Sequence, residues 1–147
     1  MSAAVAQEKG TSLATGLKAG AVAGIGGGLV FGLIMGMMGM LPMVGMLVGA
    51  ESALVGMVVH LLISAFIGVT FGFIANYLPS GGLASTIAGG AYGIVWWVLG
   101  ALIMMPLMLG MSQMVFVVDG PQWMSLMGHI IFGVIMGALF VPLKKRL

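Results

Sequence analysis

Two histidines and two clusters of methionine are the side chains of this 147-residue sequence whose types and spacing could do chemistry. His60 and His129 each fall inside a long apolar run, roughly 10 Å from its start if the run is helical at about 1.5 Å per residue. An ionisable group that deep in an apolar span is costly, and so is a functional candidate by default. Met35, Met37, Met38, Met40, Met43, Met46 and Met57 form one methionine cluster. Met104, Met105, Met108, Met111, Met114, Met124 and Met127 form the other. Thioethers and imidazoles together suit copper as Cu(I), a soft ion. In that reading Met57 and Met127 stand nearest the histidines in sequence, while Met40, Met43 and Met108 come from other helices. Two imidazoles at one level could instead flank a haem b. Gly133 and Gly137 beyond His129, and Gly68 and Gly72 beyond His60, would then leave a slot for the ring. The plainer alternatives are that methionine fills irregular packing surfaces, and that Ser64, Ser125 or a backbone carbonyl satisfies each neutral imidazole.

Other chemistry finds little support. There is no cysteine, which removes disulfides, thiolate metal sites and thiol nucleophiles. Glu51 and Asp119 lie in breaks between apolar runs, and no Gly-x-Ser-x-Gly elbow is present. No carboxylate lies within a run to relay protons. Gly24-Ile25-Gly26-Gly27-Gly28 lacks the Lys-Ser/Thr of a phosphate loop and sits in an apolar run. The 5 basic residues, all near the two ends, are too few for a nucleic-acid surface. The expectation is a non-enzymatic protein without a nucleic-acid partner.

The elements that must position these side chains follow from composition. The chain is 61% apolar and 5% charged, with a mean hydropathy of +1.25, whereas soluble domains are about 25% charged. No charge falls in residues 19–50, 52–118 or 120–143. Such a chain belongs in a lipid bilayer. A hydrocarbon core of about 30 Å needs about 20 helical residues, and the sequence predicts four spans, near 19–41, 54–76, 84–110 and 122–142. The runs do not alternate apolar and polar, so a membrane β-barrel is excluded. Val48-Gly49-Ala50 has the look of a signal cleavage site, but the run before it is about twice the 7–15 residues of a signal peptide. It is read as a retained helix.

The two halves resemble each other. Met40-Leu41-Pro42-Met43 corresponds to Met104-Met105-Pro106-Leu107-Met108, and Met57-Val58-Val59-His60 to Leu126-Met127-Gly128-His129. Gly27-Gly28-Leu29-Val30-Phe31-Gly32 likewise corresponds to Gly89-Gly90-Ala91-Tyr92-Gly93 with small offsets. The predicted fold is therefore an all-α membrane protein of two tandem two-helix repeats, residues 19–76 and 84–142, forming a bundle about a pseudo-two-fold axis. Residues 1–18 and 143–147 are tails. Gly20, Gly24, Gly28, Gly32 and Gly36 give the first helix a ridge of small residues. Gly68 and Gly72 in the second helix, Gly89 and Gly93 in the third, and Gly133 and Gly137 in the fourth repeat that spacing. Such faces let helix backbones approach closely in lipid. Pro42 and Pro106 predict a helix end or a kink near one end of the first and third spans.

Gly128-His129-Ile130-Ile131-Phe132-Gly133-Val134-Ile135-Met136-Gly137, with Tyr92-Gly93 to Trp97 and Met105-Pro106, resembles a group of small four-span bacterial and archaeal membrane proteins. The likeness covers about residues 20–142 and implies a multi-pass protein of a prokaryotic cytoplasmic membrane, with no activity or ligand attached. Small size, short loops and glycine faces favour an accessory or assembly subunit that packs against a larger membrane complex or against its own copies. The rivals are a carrier of Cu(I) or haem b using His60 and His129, and a small-solute transporter.

Lys9, Lys18, Lys144, Lys145 and Arg146 lie outside the first and last spans, so the positive-inside rule puts both termini in the cytoplasm. Glu51→Cys and Asp119→Cys in this cysteine-free chain should react with an impermeant thiol reagent in intact cells. Labelling confined to Lys9→Cys and Lys145→Cys would reverse the topology.

Overall fold

The computed structural model describes residues 3–78 and 81–147, with side chains from residue 12 onward. Among these residues the chain is all-α and contains no strand. Four helices are long and apolar enough to cross a membrane: Ser12–Met37, Ala53–Ala75, Gly82–Met108 and Gly120–Lys144. The first belongs to helix α1 (Ala3–Met37), which is followed by a short α2 (Leu41–Gly45). The second is α3 (Ala53–Ala75), begun by Ser52, whose hydroxyl accepts from the Val55 N–H. The third runs through α4 (Gly82–Trp96), a π-helical stretch (Trp97–Met104) and α5 (Met105–Met108). The fourth is α6 (Gly120–Lys144), with Pro121 in its first turn, where a missing N–H costs nothing.

The paired prolines act differently. Hydropathy carries the first span to residue 41, but α1 stops at Met37 because Gly39 takes a left-handed φ of 69°. Gly39 N–H bonds Gly36 O at 3.1 Å and Met40 N–H bonds Met35 O at 2.9 Å, the paired closure of a Schellman cap. Pro42 therefore begins α2 instead of bending the first span. Three residues before Pro106 stands Ile103, not glycine, and the helix runs on with widened π turns. Pro106 has no N–H for the Leu102 carbonyl, which accepts instead from Phe116 N–H at 3.1 Å. Phe116 holds φ 59° to do so, a strain of about 1–2 kcal/mol. The loop before α6 is thus tied back onto the third span.

Helix α1 packs against both α3 and α6, and α6 packs against α4. A Cβ placed on Gly20 or Gly24 would overlap the backbone of Gly68 or Ser64, and one on Gly72 would overlap Gly16 O. In the other half a Cβ on Gly89, Gly133 or Gly137 would overlap the backbone of Gly133, Gly89 or Ser85. Gly28 faces the Ser64 side chain and Gly32 the Met57 thioether. Gly36 departs from the expected ridge, since it meets only the Leu41 side chain, at 3.4 Å. Between α1 and α6, Gly27 lies on Phe132 O and Gly128 makes room for the Phe31 ring. Leu33, Leu54, Leu62, Leu83 and Ile87 point outward from the helices.

Gly68→Leu should cost about 3 kcal/mol or more, because its side chain would have to displace backbone. Gly36→Ala should melt within about 0.5 kcal/mol of the parent. Thermal melts in one detergent check this, and equal melts for Gly68→Leu and the parent would show that the ridge carries no close contact.

Candidate functional site

Helices α3 and α4 touch near the end of the bundle that carries Lys18 and Lys144. There Tyr92 Oη donates to Thr70 Oγ1 at 2.9 Å, a bond worth about 1 kcal/mol net. One step further along, the Phe66 and Trp96 rings meet edge to face at 6.1 Å. Beyond that pair, toward the loops bearing Glu51 and Asp119, the two spans part and a cavity of about 420 Å³ lies between them. Val59 and Ile63 line it from α3, and Gly100, Ala101 and Met104 from the third span. Met43, Val44 and Leu47 line it from α2 and the turn after it. Phe31, His60 and His129 line it from the helices at its base.

Both histidines are held by backbone. His60 is 8% exposed, and its Nε2 lies 3.0 Å from Gly28 O across the α1–α3 contact. A carbonyl only accepts, so Nε2 carries the proton and Nδ1 keeps its lone pair. His129 Nδ1 donates to Ser125 O at 2.8 Å, one turn back in α6, which leaves the lone pair on Nε2. Neither serine hydroxyl is the main partner of a ring. Ser64 Oγ donates to His60 O at 2.7 Å, and Ser125 Oγ stands 3.4 Å from His129 Nδ1. One ring nitrogen on a carbonyl and the other free is the arrangement that fixes the tautomer of a metal-ligating histidine.

The cavity brings His60, His129, Met40, Met43 and Met108 together. Met57 and Met127 do not line it. Met57 lies against Gly32 in the α1–α3 contact. Met127 is 64% exposed, since a side chain two positions before His129 on a helix points about 200° away from it. Met35, Met104 and Met105, members of the two methionine clusters, also line the cavity. Among the described residues no group of 3 or more His, Asp or Glu side chains converges. The available donors are therefore imidazole nitrogen and thioether sulfur, which suit a soft ion.

A haem fits poorly. The Phe31 ring meets His60 edge-on at 5.4 Å and His129 at 4.9 Å between centroids. The helices carrying the two histidines barely touch one another, because α1 packs against both. A haem ligated by both imidazoles would have to take the place of the Phe31 ring.

Trp97 breaks the small-residue spacing of Ser85, Gly89 and Gly93 for a reason the sequence did not reveal. Its Nε1 donates to Gln122 O at 3.0 Å and its ring stacks on Trp123, which fixes the start of α6 beside the third span. No family model, curated protein or solved structure matches this chain.

Proposed function

We propose that this chain is a non-enzymatic protein of a prokaryotic cytoplasmic membrane that binds Cu(I) in the cavity between its second and third spans. The observation that carries the reading is the convergence of two carbonyl-tethered imidazoles with Met35, Met40, Met43, Met104, Met105 and Met108 on one apolar cavity. Uncharged nitrogen and sulfur donors suit a soft monovalent ion, and no carboxylate is needed to hold it. Because the termini are basic, the reading places them in the cytoplasm and the cavity in the outer half of the membrane. Matching contacts support a tandem repeat. Gly24 lies on Ser64 O as Gly89 lies on Gly133 O, and Gly68 lies on Gly20 O as Gly137 lies on Ser85 O.

The accessory-subunit reading has one observation in its favour: the most apolar window of the third span is only 11% buried, less than in any other span. Lipid or another subunit can cover that face.

Native mass measurement of the gently extracted full-length protein separates the two readings, with Ag(I) as a redox-stable soft probe. The copper reading expects a 15.0 kDa chain, alone or with its own copies, that retains Ag(I). Occupancy should fall severalfold in His60→Ala and in His129→Ala, and stay unchanged in Met127→Leu. Equal Ag(I) occupancy in the parent and the double histidine variant would sink it. A stoichiometric foreign polypeptide on a chain that takes up no Ag(I) would replace it with the subunit reading.

A further inference from the structure

The basic end of the bundle holds a second cavity, of about 340 Å³, which copper binding does not use. Among the described residues its polar lining consists of Asn76, Ser85, Lys144 and Lys145, with no carboxylate. Lys144 Nζ donates to Asn76 Oδ1, and Asn76 is itself fixed by donating from Nδ2 to Gly72 O at 2.8 Å. That bond uses one of three ammonium donors, and the Phe140 ring, 5.9 Å from Nζ, supports the charge from another side. Helix α4 starts beside this cavity: Gly81 lines it at the N-cap position and, among the described residues, no side chain caps the helix. The first N–H groups of an α-helix have no partner within the helix, and they stand at the positive end of its dipole. Ser85, in that first turn, lines the cavity while only 6% exposed, and its Oγ has no hydrogen-bond partner. A buried hydroxyl without a partner is costly and calls for an acceptor.

Two ammonium groups, a helix start and an orphan hydroxyl make a concave set of donors, with no acid among the described lining residues. Leu78 and Phe140 supply an apolar wall beside them. We infer that this cavity binds a phosphate group at the membrane surface, carried by an anionic phospholipid or free in solution. The phosphate oxygens accept from Lys144, Lys145, Ser85 and the first turn of α4, as anions do at helix N-termini. A lipid source would also lay its glycerol and acyl chains along the apolar wall.

The test uses the full-length protein, delipidated in a neutral detergent and titrated with dioleoylphosphatidylglycerol or with inorganic phosphate, with native mass as the readout. One phosphatidylglycerol should be retained per chain. Lys144→Ala combined with Lys145→Ala should weaken retention at least fivefold, and Ser85→Ala about threefold. Arg146→Ala, which lies outside the cavity, should stay within twofold of the parent. Retention that millimolar phosphate does not displace identifies the lipid as the source, and displacement identifies the free anion; both support the site. Failure of both probes to bind the parent would overturn it. So would equal losses in Arg146→Ala and the double lysine variant, which would mean diffuse charge attraction. Ser85→Ala removes only one oxygen, so it keeps the question decidable if the double variant does not fold.

Discussion

Between α1 and α3, and again between α4 and α6, peptide backbone lies directly on peptide backbone, because Gly20, Gly24, Gly68 and Gly72, and Gly89, Gly133 and Gly137, carry no side chain to separate them. Apolar surface gains nothing by hiding from water within lipid, so van der Waals contact at such faces is the main force holding helices together. The chain spends its glycines on these two pairs and joins the pairs through α1 and α6. That leaves α3 and the third span without a close backbone contact of this kind. They meet through Tyr92, Thr70, Phe66 and Trp96 and then diverge, so the cavity is the space left over by the close pairs.

The same contact prepares the histidines. Gly28 offers its carbonyl to His60 from the α1–α3 seam, and Ser125 offers its own to His129 from within α6. A peptide carbonyl is a strong acceptor that cannot donate, so each ring is fixed in one tautomer with one lone pair free. Phe31 is the third partner: it touches both rings and occupies the room that Gly128 leaves open in α6. With the Phe31 ring between the two imidazoles, the cavity leaves no room for a planar cofactor ligated by both. The basic end follows a different logic, with fixed positive charge and unpaired donors gathered where the spans reach the surface.

The spans were legible because a chain with 5% charged residues leaves long uncharged stretches, and their breaks carry the polar and turn residues. The end of the first span was not, because hydropathy stays high through Met38, Met40 and Leu41 while the left-handed turn at Gly39 ends the helix. The π-helical stretch was equally hidden, since it arises from what is missing before Pro106, a glycine that would let the helix stop. Reading proximity along the chain favoured Met57 and Met127 as partners of the histidines. Helical rotation sends Met127 outward, and packing places Met57 on Gly32. Met40, Met43 and Met108 reach the cavity because the chain folds back through α2 and ends its third span beside it. Phe31 left one trace in the sequence, the glycine immediately before His129, but nothing there said which ring would fill it.

X-ray absorption at the copper edge of the full-length protein loaded with Cu(I) in detergent tests the central claim most directly, because it counts the donor types around the ion. The account predicts a first shell of both nitrogen and sulfur, with the nitrogen lost when His60 and His129 are both replaced by alanine and the sulfur kept. A shell of oxygen and nitrogen without sulfur, or a mixed shell unchanged in the double variant, would place the copper somewhere other than this cavity.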